Sequence, residues 1–126
     1  MKIIAIDFDG TCVTNDFPKI GKTVPGCLEV LKKCLSKGNK LILWTVRDKD
    51  KLTEAIEWFN QNKIKLYGIN NNPQQQSWSG SRKIYYNYLI DDRSLGCPLT
   101  THRSLSPKPF VDWKIVEKIL EKDGVI

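Results

Sequence analysis

Six side chains stand out for the chemistry their types and spacing would support. Asp7 and Asp9 flank Phe8 in the stretch IDFDGT, Asp91 and Asp92 are adjacent in LIDDR, Thr45 ends LILWT, and Lys83 stands just before IYYNYLIDD. Four carboxylates gathered in one place repel one another and retain protons unless a cation joins them. A hard divalent ion suits them: magnesium takes a few carboxylates, keeps several waters and accepts phosphate oxygens. Softer metals are disfavoured by ligand type, because no histidine or cysteine ends one of the expected strands. With a hydroxyl from Thr45 and an ammonium from Lys83, the set would receive a phosphoryl group. A carboxylate is a competent nucleophile toward such a group, giving an aspartyl-phosphate.

These residues must be brought together by the elements that carry them. Ile3 to Ile6 is an apolar, β-branched run ended by a turn signal, which reads as a buried strand with Asp7 and Asp9 at its mouth. The stretch TCVTNDFPKIGKTVPG reads as a loop or small hairpin. Cys27, Leu28, Leu31, Cys34 and Leu35 recur at helical spacing between Pro25 and Gly38, which mark the start and stop. KLILWT, 40–45, is a second strand. Asp48 is placed to cap a helix with Leu52, Ala55, Ile56 and Phe59 on one side. A weaker third strand lies around Leu66 to Ile69, and 70–83 reads as a mobile polar loop. A fourth strand runs into Asp91 and Asp92. The last helix is expected to show Val111, Ile115, Val116, Ile119 and Leu120 on one face, with Asp112 as its cap. This alternation predicts an α/β fold: a three-layer, doubly wound, Rossmann-like parallel sheet with helices on both faces. In such sheets ligands bind beyond the carboxyl ends of the strands, where all three acid or hydroxyl motifs fall.

The chain has 126 residues and no composition break, so one domain spanning 1–126 is expected. Lys and Arg number 20 against 14 Asp and Glu. Setting the four clustered acids aside leaves 10 acids on a surface with twice as many bases, which suits a polyanion such as nucleic acid as well as a partnerless soluble protein. No apolar run is long enough for a membrane span, and no secretion signal precedes the first strand, so a cytoplasmic location is expected. Cys12, Cys27, Cys34 and Cys97 contain no C-x-x-C pair, and His102 is the lone histidine, which argues against zinc. The cysteines are expected as reduced thiols rather than two disulfides.

DFDGT at 7–11 resembles the first motif of the haloacid dehalogenase (HAD) superfamily, D-x-D-G-T; LILWT resembles its second, and LIDD at 89–92 its fourth. Lys83 is the candidate for the lysine of the third motif, with Arg82, Lys63 and Lys65 as substitutes. The whole resembles small HAD-like phosphatases of bacterial and phage type. The resemblance implies a magnesium-dependent phosphomonoesterase with Asp7 as nucleophile and metal ligand. Asp9 would bind the metal through its carbonyl and act as acid and then base through its carboxyl. Thr45 and Lys83 would hold the phosphoryl group, Asp91 and Asp92 would complete the metal site, and Thr11, Arg47 and Arg93 would contact substrate. Arg47 pairing with Asp48 or another acid is the alternative for that residue. Only 33 residues separate Thr11 from Thr45 and 45 separate Thr45 from Asp91, too few for a cap domain. An uncapped site suits phosphates on large molecules, such as a nucleotide or the terminal phosphate of a nucleic acid. Trp78, in the polar loop, is placed to stack on a base.

Two other classes compete. A signalling receiver domain shares the acids, Thr and Lys, but needs an Asp at the end of a middle strand, where this chain has Thr45. A non-catalytic phosphate- or nucleic-acid-binding module is the stronger rival, and it has no need of Asp9.

Overall fold

The computed structural model describes residues 1–126. Four short strands, β1 (Ile3–Ile6), β2 (Lys40–Leu43), β3 (Gly68–Ile69) and β4 (Tyr88–Ile90), form a parallel sheet in the order β3-β2-β1-β4. Three helices accompany it: α1 (Cys27–Ser36), α2 (Lys49–Gln61) and α3 (Trp113–Lys122). Two further strands, β5 (Leu99–Thr100) and β6 (Phe110–Val111), pair antiparallel between β4 and α3, an element the sequence reading did not anticipate. No helix is long and apolar enough to cross a membrane.

The expected helices on both faces are not found, because the one connection that crosses the second face forms no helix. Side chains alternate across a strand, so Ile4 and Ile6, with Leu41 and Leu43, point to one face. On that face they meet Val30 and Leu31 of α1, Trp58 and Phe59 of α2, and Trp113, Val116 and Leu120 of α3 in one continuous core. Ala5 and Ile42 point to the other face, where they meet Ile84 and the half-buried Tyr67, Tyr86 and Leu89. The chain moves from β1 to β2 to β3 in one direction, laying α1 and α2 on the same side. The return from β3 to β4, at the far edge, must cross the opposite face to remain right-handed. That crossover is the segment 70–87, whose only regular piece is a 3₁₀ turn at Gln75–Ser77. The chain is therefore an α/β fold with helices on one face and a loop on the other.

The segment is held rather than loose, in contrast to the mobile loop expected. Gln75 is buried, and its side-chain amide donates to the carbonyls of Ser81 (3.3 Å) and Lys83 (2.9 Å). Its Oε1 accepts from the Tyr85 amide at 2.7 Å. Asn72 Nδ2 adds a bond to the Tyr85 carbonyl at 3.0 Å.

Two local readings also change. Asp48 precedes α2 but makes no side-chain capping bond, and Lys49 takes φ 48 there. Asp112 does cap α3, accepting from the Ile115 amide at 3.2 Å, yet the helix buries Trp113, Val116 and Leu120 while Ile115 and Ile119 face outward. All four cysteines are free thiols.

Candidate functional site

Strand register assembles the site. Ile6 pairs with Leu43 on one side and Ile90 on the other, and Leu43 pairs with Ile69. The next residue of each strand is therefore Asp7, Trp44, Asp91 and Asn70, abreast at the carboxyl edge of the sheet. Asp7, Trp44, Thr45, Val46, Asn70 and Asp91 line one surface cleft of about 470 Å³ there. Of the sequence-derived residues, Asp7, Thr45, Asp91 and Asp92 are brought together.

Asp7, Asp91 and Asp92 each offer a carboxylate oxygen, all within 4.8 Å of one another. Asp92 reaches the cluster because of Gly10, whose φ of +83 and missing side chain leave the space its carboxylate fills. A Cβ on Gly10 would lie 2.3 Å from Asp92 Oδ2. The crowding shows in the protonation of Asp7, whose carboxyl is pushed up to about 8 by burial first and by the charge of Asp91 second. Burial also raises Asp92, with Asp91 adding to it, while its hydrogen bond with Asp7 and the charge of Arg93 work against the rise. An all-oxygen donor set in which burial and neighbouring charge push Asp7 and Asp92 upward fits a hard divalent cation. The Asp9 carbonyl accepts from no backbone amide.

Thr45 sits half-buried at the cleft. Its hydroxyl oxygen accepts from the Arg47 amide at 3.1 Å, leaving the hydroxyl proton free to donate, and its own amide is fixed by Asn70 Oδ1 at 2.8 Å. Arg93 is exposed beside the acids, with its amide bonded to Asp91 Oδ1 at 2.9 Å and its charge acting on Asp92.

Three expected residues are placed otherwise. Arg47 does not face substrate: its side chain is wholly buried, and Nε and Nη2 each bond one oxygen of Asp9 at 2.7 Å. Its remaining donors go to the carbonyls of Pro18, Lys19 and Lys51, so all five N–H groups are used. The guanidinium also lies 5.1 Å from the ring centroids of both Phe8 and Phe17. The partner is thus Asp9, not Asp48. Thr11 is likewise internal. Its hydroxyl donates to Asp7 Oδ2 (3.1 Å) and accepts from the Asp92 amide (3.2 Å), joining the two acidic strand ends, while Trp113 Nε1 holds its carbonyl at 2.8 Å. A fully buried hydroxyl so engaged positions acids and touches no ligand. Lys83 lines a different cleft, with Trp78, Tyr85 and Tyr86.

Asp9 accordingly stands apart from the carboxylate cluster, its side chain 14% exposed and both oxygens engaged. His102 is exposed, its Nδ1 2.7 Å from the Ser104 hydroxyl, and lines a cleft with Pro25, Thr100 and Asp112. Asn70 is a site residue the sequence reading passed over. Its positive φ of 54, a region where Asn is enriched, marks the turn that aims it back at Thr45.

No protein-family model matches the chain, and no curated protein matches it. Among solved structures, a conserved protein coded by a locus of Bacteroides thetaiotaomicron superposes with a TM-score of 0.80 at 33% identity. The match covers 97% of this chain and 91% of that one. At that identity, over nearly the whole of both chains, this protein belongs to the same family as the conserved Bacteroides thetaiotaomicron protein.

Proposed function

We propose that the chain is a magnesium-dependent phosphomonoesterase of HAD type, with a Rossmann-like sheet and no cap domain, acting through an aspartyl-phosphate on Asp7. The observation that carries this reading is one cleft lined by Asp7, Thr45 and Asp91, with carboxylate oxygens of Asp7, Asp91 and Asp92 within 4.8 Å of one another. Magnesium held by Asp7, Asp91, Asp92 and the Asp9 carbonyl would offset the mutual repulsion of the carboxylates and the charge of the phosphoryl oxygens.

An oxygen of Asp7 attacks phosphorus, the bond from phosphorus to the alcohol oxygen breaks, and that oxygen takes a proton from the Asp9 carboxyl once it has parted from Arg47. A water then returns a proton to Asp9 while its oxygen attacks the same phosphorus. The bond to Asp7 breaks and inorganic phosphate leaves. Thr45 donates to a phosphoryl oxygen, and Arg93 meets the phosphate from the exposed side. Arg47 acts as a positioning residue, holding Asp9 in its resting orientation between turnovers, and Thr11 holds Asp7.

The Arg47–Asp9 pair also favours a second reading, a phosphate-binding module without turnover, because it engages both oxygens of the acid that catalysis needs. Hydrolysis of an aryl phosphate, with magnesium and with a chelator, separates the two. Magnesium-dependent turnover is expected, abolished by Asp7→Asn and lowered by roughly 10²–10⁴-fold in Asp9→Asn. Near-normal turnover by Asp7→Asn would sink the covalent mechanism.

A further inference from the structure

The crossover segment 70–87 does more than cover the sheet. Three clefts lie edge to edge along it, each sharing residues with the next. The acid cleft shares Asn70 with a second cleft of about 290 Å³, lined by Asn71, Asn72, Gln76 and Arg82 among others. The second shares Gln75, Ser79, Ser81 and Ile84 with a third of about 400 Å³, where Trp78, Lys83 and Tyr85 stand. Linked through these shared residues, the three clefts follow one another from Asp7 to Trp78, and are taken together as one groove.

Its chemistry is one-sided. Beyond Asp7 and Asp91 no acidic residue lines it, while Arg82 and Lys83 do. Side-chain amides and hydroxyls fill the middle. At the far end two large aromatics are turned outward: Trp78 is 64% exposed and Tyr85 47%, with ring centroids 5.7 Å apart in an edge-to-face pair. Exposed aromatics on a loose loop would collapse onto the surface. These are held out by a braced scaffold, since Gln75 ties the backbone at Ser81, Lys83 and Tyr85, and the Gln75 carbonyl accepts from the Trp78 amide at 2.9 Å. The Oδ1 of buried Asn72, a residue of the middle cleft, has no hydrogen-bond donor.

We infer that this groove binds single-stranded nucleic acid, with a base stacked on Trp78, backbone phosphates near Arg82 and Lys83, and a terminal phosphate at Asp7. Aromatic faces, cations and amide edges in a row match bases joined by phosphates. Placing the terminal phosphate rests on the phosphatase reading; binding along the groove does not.

The test is therefore a binding measurement. Anisotropy of a fluorescein-labelled single-stranded hexanucleotide is followed with the full chain, in chelator, across a salt series. Saturable binding is expected, weakened roughly 5- to 150-fold by Trp78→Ala and largely retained by Trp78→Phe. Replacing Arg82 and Lys83 by Ala should lower the slope of log affinity against log salt by about 0.7 per residue. Lys118→Ala, on α3 across the sheet, should leave it unchanged. No binding, binding indifferent to Trp78→Ala, or equal competition by a phosphopeptide of matched charge would each overturn the inference. Oligonucleotide binding without aryl phosphate turnover would remove the phosphatase reading and leave the groove standing. Turnover without oligonucleotide binding would do the reverse.

Discussion

Gly10 and Arg47 shape the candidate site without entering it. A methyl group at Gly10 would collide with Asp92 Oδ2 at 2.3 Å, and the left-handed backbone there costs any other residue about 1–2 kcal/mol. Gly10→Ala is therefore expected to destabilise the chain by at least that amount and to displace Asp92 from its neighbours. Urea unfolding reads the first effect. The second is read as a smaller rise in Tm on adding magnesium than the parent chain shows. Arg47 is the opposite case, a long charged side chain whose burial is justified by five satisfied donors. Removing one partner of a buried pair leaves the other uncompensated, so Arg47→Ala should cost about 3–5 kcal/mol by denaturant unfolding. Arg47→Lys should recover little, because an ammonium cannot form the two parallel bonds to Asp9 or reach the Pro18, Lys19 and Lys51 carbonyls together.

The crossover from β3 to β4 is the element in which this chain departs most from a doubly wound sheet. A helix satisfies its own backbone; a loop laid over a sheet must find partners for its amides and carbonyls one by one. Gln75 supplies three of them, more than any other side chain of the segment. Gln75→Ala should therefore leave three backbone groups to water or to nothing, at about 1–3 kcal/mol for each that stays buried. Hydrogen exchange offers the check. Amides of 75–86 should lose protection in the variant, while those of β1 and β2 keep theirs. Uniform loss across the chain would mean that the segment unfolds only with the core.

At the scale of the whole molecule, stability and the acid cluster are linked through pH. Asp7 in the folded chain titrates at about 8 against 3.8 for a free carboxyl, because it is buried and faces Asp91. Between those values the folded state keeps a proton that the unfolded chain releases, so unfolding becomes easier as pH rises. Asp92 shifts in the same direction. In chelator, the contribution of this cluster is fully present below about pH 4 and is lost as pH rises through about 8. A bound divalent cation removes the repulsion and binds the unfolded chain poorly, so magnesium should raise Tm, most strongly toward the alkaline end. Calorimetric scans from about pH 5 to 8.5, with chelator and with magnesium, test both slopes. A Tm independent of pH in chelator would contradict the strained cluster.

The local order of the chain could be read directly from its residues. Apolar runs ended by turn signals located β1 and β2, period-3.6 spacing located α1 and α2, and parallel strands implied that Asp7, Thr45 and Asp91 would meet at one edge. These depend on short-range patterns that each segment carries within itself. What lay beyond such patterns depended on which segments became neighbours. Nothing around Arg47 announces that Asp9, 38 residues away, will take its guanidinium, or that Thr11 will turn inward to bridge Asp7 and the Asp92 amide. Lys83 looked close to the acids along the chain, yet the path over the far face of the sheet sets it beside Trp78 instead. The same path decided the layering. The order β3-β2-β1-β4 and the right-handed rule send 70–87 across the face without helices, and no periodicity within that segment could have revealed it. Charges and hydroxyls find partners according to tertiary proximity, which strand order creates and local spacing does not contain.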